Sequence, residues 1–217
     1  IYTDYSLLTA DETLCADVHK VFQQITGMGK KIHPNLLIHA PFNLKKSLLK
    51  LIAEEAAAAE AGKEARIVAK LNALTDPEMI RALYEASNAG VKVDLIVRGM
   101  CCLRPGIEGV SENIRVVSII GRFLEHSRVY YFKNSEQQLY CSSADWMERN
   151  LSNRIEVCFP ILKKKHQSRI LTEIEWHLED EIQCWELGAD GEYTKIQHAT
   201  TQESAQGVQQ RLLEKLA

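Results

Sequence analysis

No stretch of this 217-residue chain approaches the roughly 20 consecutive apolar residues that a membrane-crossing helix needs, and its first residues show no basic-then-apolar leader. Basic residues are not in excess either, with 26 lysines and arginines against 29 aspartates and glutamates. That argues against a nonspecific nucleic-acid binder, whose affinity rests on a cationic surplus. Six cysteines occur (Cys15, Cys101, Cys102, Cys141, Cys158 and Cys184), but none forms a C-x-x-C pair. Several sit within apolar, strand-like runs. Reduced, partly buried thiols are expected, in a cytoplasmic protein that reaches a membrane only through partners. Internal repeats and low-complexity linkers are absent too. What is present is an ordinary globular composition, 46% hydrophobic and 25% charged, in a chain long enough for one large domain or one domain with a fragment attached.

Periodicity then gives the organisation. A short strand-like IYTD precedes a helix capped by Thr9 or Asp11 and running to about Thr26, with Leu14, Val18, Val21, Phe22 and Ile25 as its apolar stripe. Gly27 and Gly29 end it. Residues 35–40 (NLLIHA) read as a buried strand, and Pro41-Phe42-Asn43 turns the chain into a long helix that reaches Gly62. ARIVAKLNAL is the next strand. A helix from Asp76 or Pro77 to about Ala89, closed by Gly90, follows it. VKVDLIVRG, IRVVSII, SRVYYFK, QQLYCSS and RIEVCFP read as further strands. A helix over about Lys164 to Ile182 leads to CWELGADGEYTKI, a hairpin turning at Asp190-Gly191, and the tail QGVQQRLLEKLA is a short amphipathic helix. Alternating strands and helices followed by a run of strands predict an α/β sandwich built on a mixed sheet.

Chemistry concentrates in RFLEHSRVYYF, from Arg122 to Phe132, and in SSADWMERN after it. His126 stands two residues before Arg128, so strand alternation places both on one face. A titratable imidazole beside a permanent cation suits a phosphate: the cation holds it while the imidazole donates, accepts or attacks. Taken alone, an H-x-R at a strand start equally fits a structural histidine. Arg98 closes the apolar run VKVDLIVRG, and a charged residue at the C-terminal end of a buried parallel strand suggests a ligand crevice. Lys70 and Asn72 share a face of their strand. A lysine there needs an anion or a carboxylate such as Asp76 or Asp94. Arg98, Arg128 and Lys70 would crowd one sheet edge, an arrangement whose self-repulsion calls for a polyanionic ligand. Lys45 and Lys46 lie in a first helical turn, where the macrodipole disfavours cations. They are either solvated or share an anion with a cap at Asn43.

The segment KLNALTDPEMIRALYEASNAGVKVDLIVRGMCCLRPGIEGVSENIRVVSIIGRFLEHSRVYYF, together with SSADWMERNLSNRIEVCFPI, resembles the carboxy-terminal catalytic domain of the bacterial polyphosphate kinase family, whose members polymerise the γ-phosphate of ATP. The likeness runs from Ile1 to about Cys184, and the tail beyond roughly Thr194 carries little signature. It implies an α/β fold with a phospholipase D-like mixed sheet flanked by helices, in which two related domains each supply a histidine to a phosphoryl-transfer site. The H-x-K of that superfamily corresponds to His126-Ser127-Arg128, and its small-residue patch to Ser142-Ser143-Ala144-Asp145. The resemblance implies nucleotide contacts from Tyr2, Arg98 and His126, with His126 catalytic. Phosphate and polyphosphate contacts are expected from Lys70, Asn72, Arg122 and Arg128, with Arg104 as a further candidate.

Mg2+ is expected with ATP rather than in a protein cage. ATP or ADP, inorganic polyphosphate, upstream domains of the same polypeptide and further copies of the protein are the implied partners, with no nucleic acid among them. The family's phosphorylated histidine belongs to a preceding domain. No segment here matches it, and His19, His33, His39, His166, His177 and His198 lie outside the motifs. Starting at Ile1, the chain is expected to be a piece of a longer protein, inactive alone. Residues 1–30 would be a remnant of an upstream catalytic domain and residues 31–217 a phospholipase D-like catalytic domain with C-terminal helices. The rival readings are a phospholipase D-like phosphodiesterase and a noncatalytic polyanion-binding module. Against the first, arginine replaces the superfamily lysine and Asn134 stands six residues after Arg128.

Overall fold

Runs of β-branched and aromatic residues, punctuated by glycines and helix caps, pleat into the sheet that organises this chain. The computed structural model describes residues 2–27, 34–196 and 206–216. In chain order the elements are β1 (Tyr2–Thr3), α1 (Glu12–Ile25), β2 (Ile38–Ala40), α2 (Leu44–Glu60), β3 (Arg66–Leu71), α3 (Pro77–Asn88), β4 (Lys92–Val97), β5 (Ile114–Ile119) and β6 (Leu124–Glu125). They continue with β7 (Arg128–Phe132), β8 (Leu139–Ser142), α4 (Glu148–Ser152), β9 (Glu156–Pro160), α5 (Lys164–Leu178), β10 (Cys184–Leu187), β11 (Tyr193–Lys195) and α6 (Val208–Leu216).

Nine strands form one mixed sheet in the order β11-β10-β5-β4-β3-β7-β8-β9-β2. The centre is parallel, β3 with β4 and β4 with β5. Both flanks are antiparallel, through β7 on one side and β10 on the other. Side-chain alternation divides the core. Ile67, Ala69, Leu71, Val93, Leu95 and Tyr130 pack with α2 and α3 residues such as Leu48, Ile52, Met79 and Leu83. The opposite face presents Val68, Ile96, Val117 and Val129 to Ile170, Ile174 and Leu178 of α5 and Val208 of α6. This is the mixed α/β sheet flanked by helices that the sequence predicts.

Local differences have local causes. The strand expected from residue 35 shortens to β2 because the backbone N–H groups of Asn35, Leu36 and Leu37 donate to the Asp17 carboxylate, at 2.7, 2.7 and 3.1 Å, instead of to a neighbouring strand. Asn43 does not cap α2: its side-chain oxygen accepts the His39 N–H at 2.8 Å. Helix α5 stops at Leu178 rather than Ile182. The carboxylate of Asp180 takes the N–H groups of Ile182 and Gln183 and turns the chain away. Strand β6 and helix α4 have no counterpart in the sequence expectation.

Asp11 caps α1 and Asp76 caps α3, the latter accepting from Glu78 and Met79. All six cysteines are free, three of them buried. No helix among the described residues is long and apolar enough to cross a membrane. The domain boundary expected near Gly29, like His33 and His198, lies outside the described residues.

Asp17 is fully buried. Burial works against its charge, but three backbone donors and Lys20 hold its carboxyl below the usual range. Replacing it with alanine leaves three N–H groups without that acceptor, so Asp17→Ala is expected to cost about 2–3 kcal/mol. A denaturant titration checks this, with faster amide exchange expected at Asn35–Leu37.

Candidate active site at the sheet edge

The C-terminal ends of the parallel strands meet the start of β7. Because Lys70 lies opposite Val129 in the antiparallel β3–β7 register, Arg128 comes level with the last residue of β3. The segments beyond β3 and β4 continue side by side: Gly99 N–H donates to Asn72 O at 2.9 Å, and a Cβ at Gly99 would stand 3.0 Å from that carbonyl. Glycine after Arg98 is therefore a requirement of close backbone approach.

Tyr2, Asp4, His126 and Arg128 come together at this edge. The Tyr2 ring meets the His126 ring edge-on, centroids 5.0 Å apart at 71°. His126 Nδ1 lies 2.9 Å from Asp4 Oδ2, and Arg128 Nη1 lies 3.3 Å from His126 Nε2. The carboxylate accepts the Nδ1 proton, so a neutral His126 keeps its lone pair on Nε2. Arg128 is in turn clamped by Asp145, Nε to Oδ1 at 3.2 Å and Nη2 to Oδ2 at 3.0 Å, while the same Oδ1 accepts from the backbone of Asn72 at 2.7 Å. His126, Ser127, Arg128 and Ser142 line a cavity of about 240 Å3. Among the described residues no cluster of three or more His, Cys, Asp or Glu side chains is arranged for a metal ion.

Lys70 has a different partner from those expected. Its ammonium reaches Glu125 Oε2 at 2.9 Å and Ser127 Oγ at 2.7 Å and is 2% exposed. Asp76 is occupied by Lys45, and Asp94 by Arg66. Glu125 also accepts from Thr3 Oγ1 at 2.8 Å and Gln209 Nε2 at 2.8 Å, and lies 3.2 Å from His177 Nε2. Burial opposes the Glu125 charge, yet His177 and Lys70 hold its carboxyl well below the usual carboxylate range.

The other candidates scatter. Asn72 Nδ2 points to His126 O at 3.4 Å, and its buried Oδ1 has no hydrogen-bond partner among the described residues. Arg98 sits half-buried just past β4, and its guanidinium has no carboxylate partner among the described residues. Arg122 is exposed, with its guanidinium 5.5 Å from the Phe123 ring centroid. Arg104 donates to Ala189 O. Lys45 bonds Asp76 and Glu78 at the start of α3, so its anion is that neighbouring helix and no ligand is needed to explain it. Asn134 stands at the far end of β7, held by Glu55 and Glu64. The aspartate beside Arg128 is Asp145. Sequence reasoning passed over Asp4 and Glu125, although Asp4 stands two residues after Tyr2 and Glu125 directly before His126.

Residues 37–207 match the family described as polyphosphate kinase C-terminal domain 2. The chain belongs to the polyphosphate kinase family. It is 59% identical to polyphosphate kinase of Pseudomonas aeruginosa over 218 aligned residues, covering all of this chain and 31% of that protein. The crystal structure of polyphosphate kinase from Porphyromonas gingivalis superposes with a TM-score of 0.90 at 33% identity, over 96% of this chain and 32% of that one. NucT from Helicobacter pylori shares the fold, with a TM-score of 0.52 at 16% identity over 68% of this chain and 95% of that one. The chain thus spans about a third of the length of the polyphosphate kinases it matches.

Glu125→Gln removes the buried charge that the Lys70 ammonium faces, which is expected to cost about 3–5 kcal/mol. Because folding depresses this carboxyl's pKa, its contribution is present above the ordinary Glu value, about 4.3. The contribution is lost progressively as pH falls below that value toward the depressed native one. Unfolding titrations between neutral and acid pH should show that loss in the native protein and a flatter profile in Glu125→Gln.

Proposed function

We propose that this chain supplies the C-terminal part of a polyphosphate kinase active site, which transfers the γ-phosphoryl group of ATP reversibly to a growing inorganic polyphosphate chain. The observation that carries it is the His126 cluster: an imidazole held by Asp4, flanked by Arg128 and faced by an exposed tyrosine, at the C-terminal edge of the sheet's parallel strands. Phosphoryl transfer asks the protein mainly for positioning and charge stabilisation. Tyr2 offers a ring for the adenine, Arg98 a cation for the triphosphate, and His126 a nitrogen for the leaving oxygen.

In this reading the γ-phosphorus–oxygen bond to ADP breaks as a histidine on a domain upstream attacks phosphorus. His126, protonated at Nε2, donates to the leaving oxygen of ADP. The phosphohistidine then passes its phosphoryl group to the terminal oxygen of polyphosphate. Magnesium enters with the nucleotide as MgATP. Arg122 and Asn72 are candidates for the flanking phosphates, while Lys70 is engaged by Glu125 and Ser127. The protein would act in the cytoplasm as a homo-oligomer, joined to its upstream domains.

The test is polyphosphate synthesis from MgATP by the full-length polypeptide. His126→Ala is expected to lower the rate by about 10²–10⁴-fold. Synthesis that survives the change removes His126 from the mechanism, and a full-length polypeptide that makes none sinks the kinase reading. Asp4→Asn should slow the reaction by about 10- to 100-fold. An unchanged rate would leave Asp4 with a purely structural part. This chain alone is expected to make no polyphosphate, and robust synthesis by it would overturn the divided site.

A further inference from the structure

We infer that Gln209 of the tail helix α6 is a positioning residue for His126, an assignment that rests on the kinase reading. Helix α6 begins at Val208, just past the residues 37–207 that match the family. Its second residue reaches the segment that delivers the histidine.

Between β5 and β7 the chain carries only the two-residue β6. One edge of β6 pairs with β1, Tyr2 against Leu124 and Thr3 against Glu125, and Thr3 O accepts the His126 N–H at 3.2 Å. Among the described residues no strand covers the other edge. Gln209 stands there instead. Its Oε1 accepts the Phe123 N–H at 2.9 Å, while its Nε2 donates to Phe123 O at 2.8 Å and to Glu125 Oε1 at 2.8 Å. A side-chain amide carries the donor and acceptor of a peptide group, so it completes the pairing that a third strand would supply.

The place of this amide is closely built. Gln209 is 3% exposed, and its own N–H donates to Gln183 Oε1 at 3.3 Å. Gln183 O accepts the Ile120 N–H at 2.9 Å, so the same pair of glutamines holds both ends of the approach to β6. Gly121 lies bare against them: a Cβ there would stand 2.1 Å from Gln183 Nε2 and 2.5 Å from Gln209 Oε1. Its φ is not positive, so the glycine provides space rather than a turn. Asp180 accepts the Val208 N–H at the start of α6, and Arg211 and Lys215 set their charges 3.8 and 4.3 Å from the Trp176 ring centroid of α5.

The consequence falls on the next residue. Without the amide, the N–H and C=O of Phe123 lose their partner and β6 hangs from β1 alone. His126 then loses its fixed place relative to the reacting phosphate, and a displacement of about 1 Å costs about a hundred-fold in rate.

The experiment uses two variants. Gln209→Met keeps the length of the side chain and removes its amide. Gly121→Ala leaves Gln209 in the sequence and displaces it; the added methyl meets only the ends of flexible side chains, so the fold survives, and melting curves check that it does. Isotope-labelled histidine reports the His126 ring in this chain, its resonance identified by loss in His126→Ala. Polyphosphate synthesis from MgATP by the full-length polypeptide gives kcat and KM. Both variants are expected to shift or broaden the His126 resonance and to lower kcat about ten-fold or more, with KM for MgATP within about two-fold. Glu214→Gln, exposed on the same helix and bonded to Gln206 and Gln210, is expected to change neither. If folded variants keep the resonance, or move it and keep kcat, Gln209 does not position His126 for the reaction, while synthesis by the native polypeptide leaves the kinase reading intact. If the native full-length polypeptide makes no polyphosphate, the kinase reading falls and this assignment falls with it.

Discussion

The buried carboxylate of Glu125 is the constraint on which the site depends. It gathers Thr3 of β1, Lys70 of β3, His177 of α5 and Gln209 of α6 around one pair of oxygens. Such a group is tolerable in a protein interior only when its lone pairs are satisfied and its charge is answered. Each of these contacts therefore ties its element to the same buried point. His126 follows Glu125 directly, so its backbone position is set by the buried residue before it. Pre-organisation of a half-buried imidazole is obtained here from an interior ion cluster, and no rigid loop is needed for it.

Charge at the sheet edge is balanced pairwise. The expectation that Arg98, Arg128 and Lys70 repel one another until a polyanion arrives holds only in part, because Lys70 turns to Glu125 and Arg128 to Asp145. The Arg128–Asp145 pair is bidentate, which fixes the guanidinium plane as well as its position. Its remaining nitrogen, Nη1, is the one that approaches His126. Arg98 keeps no carboxylate partner among the described residues. The edge therefore combines oriented cations with an unmatched one, which suits recognition of a phosphate without requiring one for folding.

Most of the fold was legible because its signals are local. The cap at Asp76, the Pro77 start of α3, the apolar run of β4 and the hairpin at Asp190-Gly191 each follow from a few neighbouring residues. The H-x-R spacing likewise placed His126 and Arg128 side by side. What was not legible depends on distance along the chain. Asp4 and His126 are separated by 122 residues, as are Thr3 and Glu125. Lys70 illustrates the same limit. Its need for a carboxylate could be argued from its buried strand, but the choice among Asp76, Asp94 and Glu125 required the path of β6, a two-residue strand with no periodicity to read. The tail helix was foreseen as amphipathic, whereas its Gln209 reaching Glu125 was not.

The pairing of β1 with β6 explains how two such short strands can be so exacting. Alternation sends Tyr2 and Asp4 to one side, toward His126, and Thr3 to the other, toward Glu125. The observed register sets Tyr2 against Leu124 and Thr3 against Glu125. A slip of one residue would exchange the two faces. Asp4 would then face the buried Glu125 carboxylate, placing like charges together in the interior, and Tyr5 would replace Asp4 opposite His126. The first arrangement is costly and the second leaves Nδ1 without its carboxylate. Burial on one face therefore fixes the register that builds the site on the other, and the hydroxyl of Thr3 is what couples them.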